Sequence, residues 1–473
     1  MDKEKVLKKI DENFEDETRF LAELVSIDSS QGEPLPDAPF GAGVKEAYDA
    51  AMREARDIGF ATRDFDGRGG HAEFGSSEKV LGIPVHLDVV PAGDGWKHDA
   101  FGAQIEDGIM YGRGTSDDKG PAAACLYAMK ALKDAGFEPG MKIRLIFGLD
   151  EETGSSGMQY YISNAGQPDT GWTPDAYFPA IRGEMGNMIF DIACKFPKAG
   201  NEGLQLRSMK GGSAPNMVAG TARAVLRSPD ASVYEEIRKL AAERNERDGR
   251  AKLAVRTIGK NLEVTAEGKI AHGSTPWDGV NAITELMSFL GALDIENDGP
   301  ADAVEFYNKY IGRETDGSSL GCRLEDEESG STVLNVGIIY MDMKELRLTV
   351  NVRYPVTFEA EDIYRGMMPA LMQYDMGVVK KDADAPLYFE EDDPLIRDLM
   401  DVYAEVTGDT ESEPMIMGGG TYAKEFRHIA AFGGLFPGEE DRFHCAEEFI
   451  ELGSLREMTC IFALAMMKIA GEA

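Results

Sequence analysis

Histidine, cysteine and basic residues are scarce in this chain. Its 473 residues include 6 His and 5 Cys, and 84 Asp and Glu stand against 49 Lys and Arg, for a net charge of −35. An acid excess of this size repels phosphate backbones and anionic lipid, so it disfavours non-specific binding to nucleic acid or membrane surfaces. We therefore expect neither as a partner, and a small molecule as the substrate.

The few cysteines and the absence of long apolar runs indicate where the protein resides. The cysteines are odd in number, far apart and without a C-x-x-C pair, which argues against a disulfide framework or a thiolate zinc site and favours a reducing compartment. The N-terminal stretch alternates charges where a signal peptide needs an apolar core. No uncharged apolar run approaches the ~18 residues of a membrane span. We predict a cytoplasmic protein.

Strands and helices alternate in the first part of the chain. Residues 80–90 and 142–149 are short apolar runs that predict buried strands, and residues 120–136 predict a helix that ends at a glycine. Strand, loop, helix and strand in this order indicate an α/β sheet. Ligands of such sheets bind beyond the carboxyl ends of the strands.

The pattern changes near residue 187 and changes back near residue 383. Between them, alternating segments and helical segments predict an α+β domain of antiparallel strands. We therefore predict one α/β domain, formed by residues 1–186 and 383–473, that is interrupted by an α+β domain at residues 187–382.

His86 and Asp88 lie at the end of the predicted 80–90 strand. Residues two apart on a strand point the same way, so Asp88 can accept a hydrogen bond from one imidazole nitrogen while the other nitrogen binds a metal. An isolated H-x-D of this kind is more often a satisfied pair in the core than a metal site.

Two acidic pairs follow in loops. Asp117 and Asp118 lie in GRGTSDDKG, which could be a turn with a helix N-cap or a place for cations; it is not a phosphate loop, because G-x-x-x-x-G-K-[ST] is absent. Glu151 and Glu152 directly follow the 142–149 strand. Such a pair usually lies on the solvent-exposed surface without a specific role. At a strand end, however, one carboxylate can act as a metal ligand and the other as a base.

Asp175 and His444 complete a set of candidate metal ligands, and only the whole set indicates a metal site. The set offers nitrogen and oxygen donors without a thiolate, which suits zinc, manganese or cobalt in a hydrolytic site. If its carboxylates converge, two divalent ions would offset their repulsion. The candidate ligands are His86, Asp117, Glu152, Asp175 and His444.

The order of these motifs resembles that of the co-catalytic zinc exopeptidases and amidohydrolases, which include aminoacylases, carboxypeptidase G and the carnosinases. Within that family the chain is most similar to the PepV-type dipeptidases, also called Xaa-His or carnosinase-like. The resemblance covers nearly the whole chain, through HLDVVPAGDGW, YGRGTSDDKGP, DEETG, TPDAYFPAI, AHGSTP, NVRYP, GGGTYAK and the terminal His444. It implies a three-layer αβα catalytic domain with an inserted α+β lid of two ferredoxin-like lobes.

The resemblance implies two divalent metal ions, Zn²⁺ in the first place and Mn²⁺ or Co²⁺ as alternatives. Asp117 would bridge both ions, His86 and Asp175 would complete one shell, and Glu152 and His444 the other. A cis peptide would join Asp117 to Asp118, and Asp88 would orient His86. Glu151 would be the general base that takes a proton from the metal-bridging water and delivers it to the leaving amine.

The resemblance also implies residues that bind the substrate. His272 would hold the scissile carbonyl or oxyanion, and Asn216 and Arg353 would lie around the substrate carboxylate and the transition state. Backbone N–H groups of the turn could bind the C-terminal carboxylate of a peptide; the turn comprises Gly418, Gly419, Gly420 and Thr421. Alternatively, His272 caps a turn and the glycines are merely flexible.

We therefore predict a metallopeptidase that hydrolyses unblocked dipeptides, with an N-acyl-amino-acid amidohydrolase or desuccinylase as the alternative. A non-catalytic binding protein on this scaffold should have lost ligands or the base, and all of them are present. The long lid favours a monomer: dimeric relatives borrow the histidine equivalent to His272 from a partner, whereas PepV-type lids carry a second lobe in its place.

Overall fold

The computed structural model describes residues 2–196 and 203–471. The chain divides into two compact units. The α/β unit comprises Met1–Gly183, Tyr388–Ile416 and Gly420–Ala473, and the inserted unit comprises Glu184–Leu387 and Met417–Gly419. For comparison, the predicted junctions are 186/187 and 382/383.

The elements follow one another along the whole chain. The helices are α1 (Lys3–Val25), α2 (Ala42–Ile58), α3 (Lys119–Ala135), α4 (Ser156–Ala165), α5 (Ser232–Arg247), α6 (Ala282–Leu290), α7 (Asp298–Tyr310), α8 (Ala360–Met372), α9 (Pro394–Thr407) and α10 (Leu452–Ala470). Short 3₁₀ turns lie at Glu151–Thr153, Pro276–Asp278 and Tyr422–Glu425.

The strands up to the middle of the inserted unit are β1 (Ala61–Asp64), β2 (Gly70–Phe74), β3 (Val80–His86), β4 (Gln104–Glu106), β5 (Ile109–Tyr111), β6 (Lys142–Gly148), β7 (Thr170–Thr173), β8 (Ala176–Tyr177), β9 (Ala180–Glu184), β10 (Gly186–Lys195), β11 (Gln205–Gly211), β12 (Thr221–Arg227), β13 (Lys252–Ile258) and β14 (Asn261–Glu267). The remaining strands are β15 (Glu325–Asp326), β16 (Gly330–Ser331), β17 (Val333–Met341), β18 (Glu345–Tyr354), β19 (Gly377–Asp384), β20 (Leu387–Tyr388), β21 (Met415–Met417), β22 (Ile429–Phe432), β23 (Gly434–Leu435) and β24 (Phe449–Glu451).

The sheet of the α/β unit runs in the order β1-β2-β6-β3-β7-β22-β9-β20, with β21 beside β9. Its central strands β6, β3 and β7 are parallel. Every residue of β3 is buried, and α3 and α10 pack on β3 and β6. The sequence of a strand that is buried in this way is a continuous run of apolar residues, and this run is what predicts β3 from the sequence.

Helix α3 shows why the predicted helix forms where it does. It is rich in alanine and leucine, and nearly all of its residues are buried, so small side chains allow α1 and α10 to pack closely on it. Gly136 ends the helix in the left-handed conformation with a φ of 80°, where a side chain would be strained. The helix thus begins at Lys119, directly after the Asp117–Asp118 pair.

The inserted unit is built on one antiparallel sheet in the order β13-β14-β12-β11-β17-β18-β10-β19. The half with β11–β14 carries α5 and α6, and the half with β10 and β17–β19 carries α8. The halves join where β11 pairs with β17, from Met209↔Met341 to Gly211↔Ile339. Both units together confirm the predicted fold class of an α/β domain with an inserted α+β domain.

Several elements were not predicted from the sequence, among them β10, α7 and the small sheet β24-β5-β4. The three strands of the small sheet have only three residues each, too few to show a periodicity. None of the helices described in residues 2–196 and 203–471 is long and apolar enough to cross a membrane.

Candidate metal centre

The candidate ligands of the α/β unit are brought together by the parallel strands. Strand β3 pairs with β6 from Val80↔Lys142 to His86↔Gly148, and it also pairs with β7. The residues that follow these strands therefore meet at one edge of the sheet. His86 ends β3, the pair Glu151 and Glu152 follows β6, and Asp175 follows β7.

His86 is fully buried, and both of its ring nitrogens have defined surroundings. Its Nδ1 lies 2.9 Å from the backbone oxygen of Asp88 and 3.5 Å from the carboxylate Oδ1 of the same residue. The nearer partner is therefore the carbonyl and not the carboxylate expected from the sequence. Because Nδ1 donates to that carbonyl, Nε2 is left as a metal donor, 2.9 Å from Asp117 Oδ1 and 3.7 Å from Asp175 Oδ2.

The Asp88 carboxylate holds the segment that carries the two glutamates. Its Oδ1 accepts a hydrogen bond from the Glu151 N–H at 3.2 Å, and its Oδ2 accepts one from the Glu152 N–H at 3.1 Å. The side chain is 2% exposed, so these charge-assisted bonds form away from water. Asp88 thereby fixes the backbone of both neighbouring carboxylates.

Asp117 lies between two histidines at the start of α3. Its Oδ1 faces His86, and its Oδ2 lies 3.0 Å from Nε2 of His444. The same His444 nitrogen is 3.1 Å from the Glu152 carboxylate. The peptide between Asp117 and Asp118 is cis, as expected. The Asp118 Oδ2 accepts a hydrogen bond from the backbone N–H of His86 at 2.9 Å.

The electrostatics of the site are those of a crowded anionic pocket. Burial raises the pKa of Glu151 and of Asp175, and neighbouring carboxylates raise both further. Burial opposes the charged form of His444, but hydrogen bonds to Asp117 and Glu152 outweigh it and raise the pKa of the imidazole to about 11. The carboxylates thus draw protons onto each other and onto the histidines, which is the effect a divalent cation would replace.

The donor set fits divalent metal ions. Donor atoms of His86, Glu151 and Asp175 lie within 4.8 Å of one another, and so do those of His86, Asp117 and Glu152. These donors are imidazole nitrogens and carboxylate oxygens, which suit zinc and manganese alike. The five predicted ligands and Glu151 therefore converge.

A buried ion pair that supports the site was not predicted. Arg113 and Glu448 are 1% and 0% exposed, and Arg113 Nη1 donates to Glu448 Oε2 at 2.6 Å. The other oxygen of Glu448 accepts from the N–H groups of Ser116 (2.9 Å) and Asp117 (3.3 Å). Glu448 thus joins the loop of Asp117 to the loop of His444. The only sequence feature that pointed to Glu448 was its position four residues after His444. An acidic run at such a position is typical of a solvent-exposed surface.

The predicted substrate residues Asn216 and His272 come together in the inserted unit. The backbone oxygen of Asn216 accepts a hydrogen bond from the Gly273 N–H at 2.6 Å, and Met217 forms a β-bridge with His272. Nδ1 of His272 accepts from the Ser274 N–H at 3.3 Å and lies 2.6 Å from Ser274 Oγ. In the neutral ring, Nε2 therefore carries the proton.

The other predicted substrate residues are divided between the units. Arg353 lies in β18 opposite Asn187 and Val333; it is 7% exposed, and burial lowers the pKa of its guanidinium to about 10. Gly418 and Gly419 belong to the inserted unit, and a Cβ atom on Gly418 would lie 3.6 Å from the Ser274 Cβ. Gly420 and Thr421 belong to the α/β unit, where the Thr421 hydroxyl caps the 3₁₀ turn at Tyr422–Glu425.

Known proteins share both the sequence and the fold of this chain. A family model described as Peptidase family M20/M25/M40 matches residues 82–468. The Bacillus subtilis (strain 168) protein named "Putative dipeptidase YtjP" is 33% identical over 462 residues, which cover 96% of this chain and 97% of that protein. The fold resembles that of the di-peptidase Dug1p from Saccharomyces cerevisiae, with a TM-score of 0.59 at 13% identity and with 99% and 98% of the two chains covered. It also resembles human carnosine dipeptidase 1, with a TM-score of 0.57 at 17% identity and 99% and 100% covered.

Proposed function

Because the chain belongs to the peptidase family M20/M25/M40, we propose that it is a dinuclear metal-dependent dipeptidase of the PepV or carnosinase-like type that hydrolyses unblocked dipeptides. The observation that carries this proposal is the orientation of the Asp117 carboxylate. One of its oxygens lies 2.9 Å from His86 and the other 3.0 Å from His444. A carboxylate that offers one oxygen to each of two histidine positions is suited to bridge two cations.

The proposed ligands are those expected from the sequence. Asp117 would serve both ions, and the remaining donors would divide into the pair His86 and Asp175 and the pair Glu152 and His444. His86 Nε2 lies 3.7 Å from Asp175 Oδ2, and His444 Nε2 lies 3.1 Å from the Glu152 carboxylate, which supports this division. When bound, zinc, or alternatively manganese or cobalt, would lower the pKa of a water molecule and polarise the scissile carbonyl.

Glu151 acts as the general base in this proposal. Its backbone is held by the Asp88 carboxylate, so the side chain starts from a fixed position beside the ligand Glu152. It takes a proton from the attacking water and delivers it to the leaving amine, which needs no protein nucleophile.

The inserted unit supplies the groups that recognise the substrate. In the neutral ring, Nε2 of His272 carries the N–H, and we assign this group to the oxygen of the scissile carbonyl as negative charge develops on it. Asn216 lies beside His272 through the Gly273 hydrogen bond, and Gly418 approaches Ser274. We assign Asn216, Arg353 and the Gly418–Thr421 turn to the C-terminal carboxylate of the dipeptide.

A substrate panel tests the proposal against its nearest alternative. Purified protein loaded with zinc, manganese or cobalt is given Ala-Ala and β-Ala-His beside N-acetyl and N-succinyl amino acids. We expect hydrolysis of the unblocked dipeptides and its loss after chelation. Hydrolysis of the acylated compounds alone would show an N-acyl-amino-acid amidohydrolase instead.

A further inference from the structure

A cavity of about 880 Å³ lies at one end of the sheet of the inserted unit, where β11 begins, β12 ends and β13 turns into β14. Among the described residues, its lining has four cationic side chains and one carboxylate, that of Glu235. The four cations are those of Arg207, Arg227, Arg238 and Lys260. A lining of this charge is unexpected in a protein with a net charge of −35.

Among the residues that the structure describes, three of these cations have no carboxylate partner. Arg238 pairs with Glu235 and donates to Thr257 Oγ1 at 2.5 Å. Within residues 2–196 and 203–471, no carboxylate lies within salt-bridge distance of Arg207, Arg227 or Lys260. Acidic residues outnumber basic ones in this chain, so most cations could find a partner, and three unpaired ones around one cavity point to an anion as their counter-charge.

The local structure directs these side chains into the cavity. The pairing of β11 with β12 slips between Leu206 and Ser208, so Arg207 is the extra residue of a β-bulge, a feature that re-aims a side chain. Arg207 Nη1 donates to the side-chain oxygen of Gln205 at 2.9 Å, and Gln205 is 3% exposed. Gln205 lies opposite Arg227 in the sheet, so both guanidinium groups start from neighbouring positions.

The loops around the cavity are tied together. Ile258 pairs with Asn261, so Gly259 and Lys260 form a two-residue turn, in which Gly259 has a φ of 60°. The hydroxyl of the buried Tyr234 donates to the Lys260 carbonyl at 2.9 Å and accepts from the Ser228 N–H at 3.0 Å. The end of β12 and the β13–β14 turn are therefore fixed to α5.

We propose that this cavity binds a small polyanion, a molecule with several phosphate, sulfonate or carboxylate oxygens. Its volume lies in the ordinary range of small-molecule sites, and guanidinium groups bind such oxygens in pairs. The chain's net negative charge repels extended polyanions such as nucleic acid, whereas a small ligand meets a lining with four cations and the carboxylate of Glu235. The site belongs to the inserted unit and is independent of the proposed metal centre.

Calorimetric titration of the full-length protein with naphthalene trisulfonate tests this inference, because sulfonates coordinate metal ions poorly. We expect saturable 1:1 binding that weakens as the salt concentration rises. The double change of Arg207→Ala with Arg227→Ala should weaken binding about a hundredfold, since each lost charged contact is worth about tenfold. Pyrophosphate and citrate, titrated in the same way, show whether phosphate or carboxylate is preferred, and tighter binding of either one supports the site.

Arg223→Ala is the matched control, because Arg223 is an exposed arginine on the same strand that does not line the cavity. It should leave binding unchanged, and Arg207→Lys with Arg227→Lys should keep most of it. Thermal unfolding of each variant checks that the fold is intact. Absence of binding for all three probes, or equal binding by the wild type and the alanine double variant, would overturn the proposal.

Discussion

Asp117 directs its two carboxylate oxygens to two different histidines, and this residue carries most of the argument for a dinuclear site. Asp88 has a role that the sequence did not suggest. It was expected to orient His86 through its carboxylate, but its carbonyl does so, and its carboxylate fixes the backbone of Glu151 and Glu152. One short side chain therefore organises both the ligand and the proposed base.

Glu151→Gln tests the role of the base directly. The amide keeps the size of the side chain but cannot take a proton, so kcat should fall about 10²- to 10⁴-fold while two metal ions remain bound. Dipeptide hydrolysis and metal analysis measure the two effects. Glu78→Gln, at an exposed position just before β3, should behave like the wild type. Unchanged turnover in Glu151→Gln would remove the base assignment.

Glu17 should make stability depend on pH. It is fully buried in α1, and burial raises its pKa well above the ordinary value. Thr459 Oγ1 lies 2.6 Å from Glu17 Oε1 and 2.9 Å from the Leu455 carbonyl. A hydroxyl has one proton, so a protonated Glu17 that donates to Thr459 lets Thr459 give its own proton to Leu455 without sharing it between two acceptors.

A raised pKa in the folded state means that the folded protein keeps this proton while the unfolded chain loses it. Glu17 therefore contributes fully to the stability of the fold at pH values below its pKa in the unfolded chain. This contribution is lost as the pH rises toward its pKa in the folded protein. Glu17→Gln removes that loss, so the variant should gain stability relative to the wild type from pH 5 to pH 8 in urea unfolding. Glu15→Gln, exposed in the same helix, should show no such trend. A pH-independent difference for Glu17→Gln would contradict the proton assignment.

At the level of residues, the candidate ligands could be named from the sequence because their chemistry is visible in short motifs, and the fold brings them together. It could not reveal Glu448, whose role depends on N–H groups more than 330 positions away in the chain. A carboxylate that binds distant backbone has no local pattern, and only the fold brings Glu448 to Ser116.

At the level of elements, the Arg113–Glu448 pair connects the loop before α3 to the loop before β24. Glu448→Gln leaves the buried Arg113 without its counter-charge, so the free energy of unfolding should fall by about 3–5 kcal/mol. Glu405→Gln breaks the exposed pair with Lys3 and should cost no more than about 1 kcal/mol. Urea unfolding of both variants measures the difference. Equal losses would show that the buried pair is not a structural link.

The elements predicted from the sequence are those with strong patterns. The helix predicted at 120–136 is α3, and the strands predicted at 80–90 and 142–149 contain β3 and β6. The predicted strand at 80–90 runs past the end of β3, because the apolar residues Leu87, Val89 and Val90 continue the run around Asp88, which already belongs to the site. The apolar pattern of a sequence reflects burial, and buried residues continue beyond the last hydrogen bond of a strand.

At the level of the whole molecule, the two halves of the inserted sheet meet at the pairing of β11 with β17. Each half alone would have an open edge, formed by β11 in one half and by β17 in the other. In a one-lobed lid such an edge would be available to pair with a second subunit. Here the two halves cover each other's edge within one chain. We therefore predict a monomer in sedimentation equilibrium across the micromolar range. A stable dimer would show that another surface drives association and that His272 can be supplied by a partner.

The most direct test of the proposed function is a metal titration of chelator-treated protein with Ala-Ala hydrolysis as the readout. We expect no hydrolysis in the metal-free protein and a rate that rises to a plateau when two divalent ions are bound per chain, because Asp117 offers one oxygen to each ion. Full hydrolysis without metal, or none with two ions bound, would contradict a dinuclear metal-dependent dipeptidase.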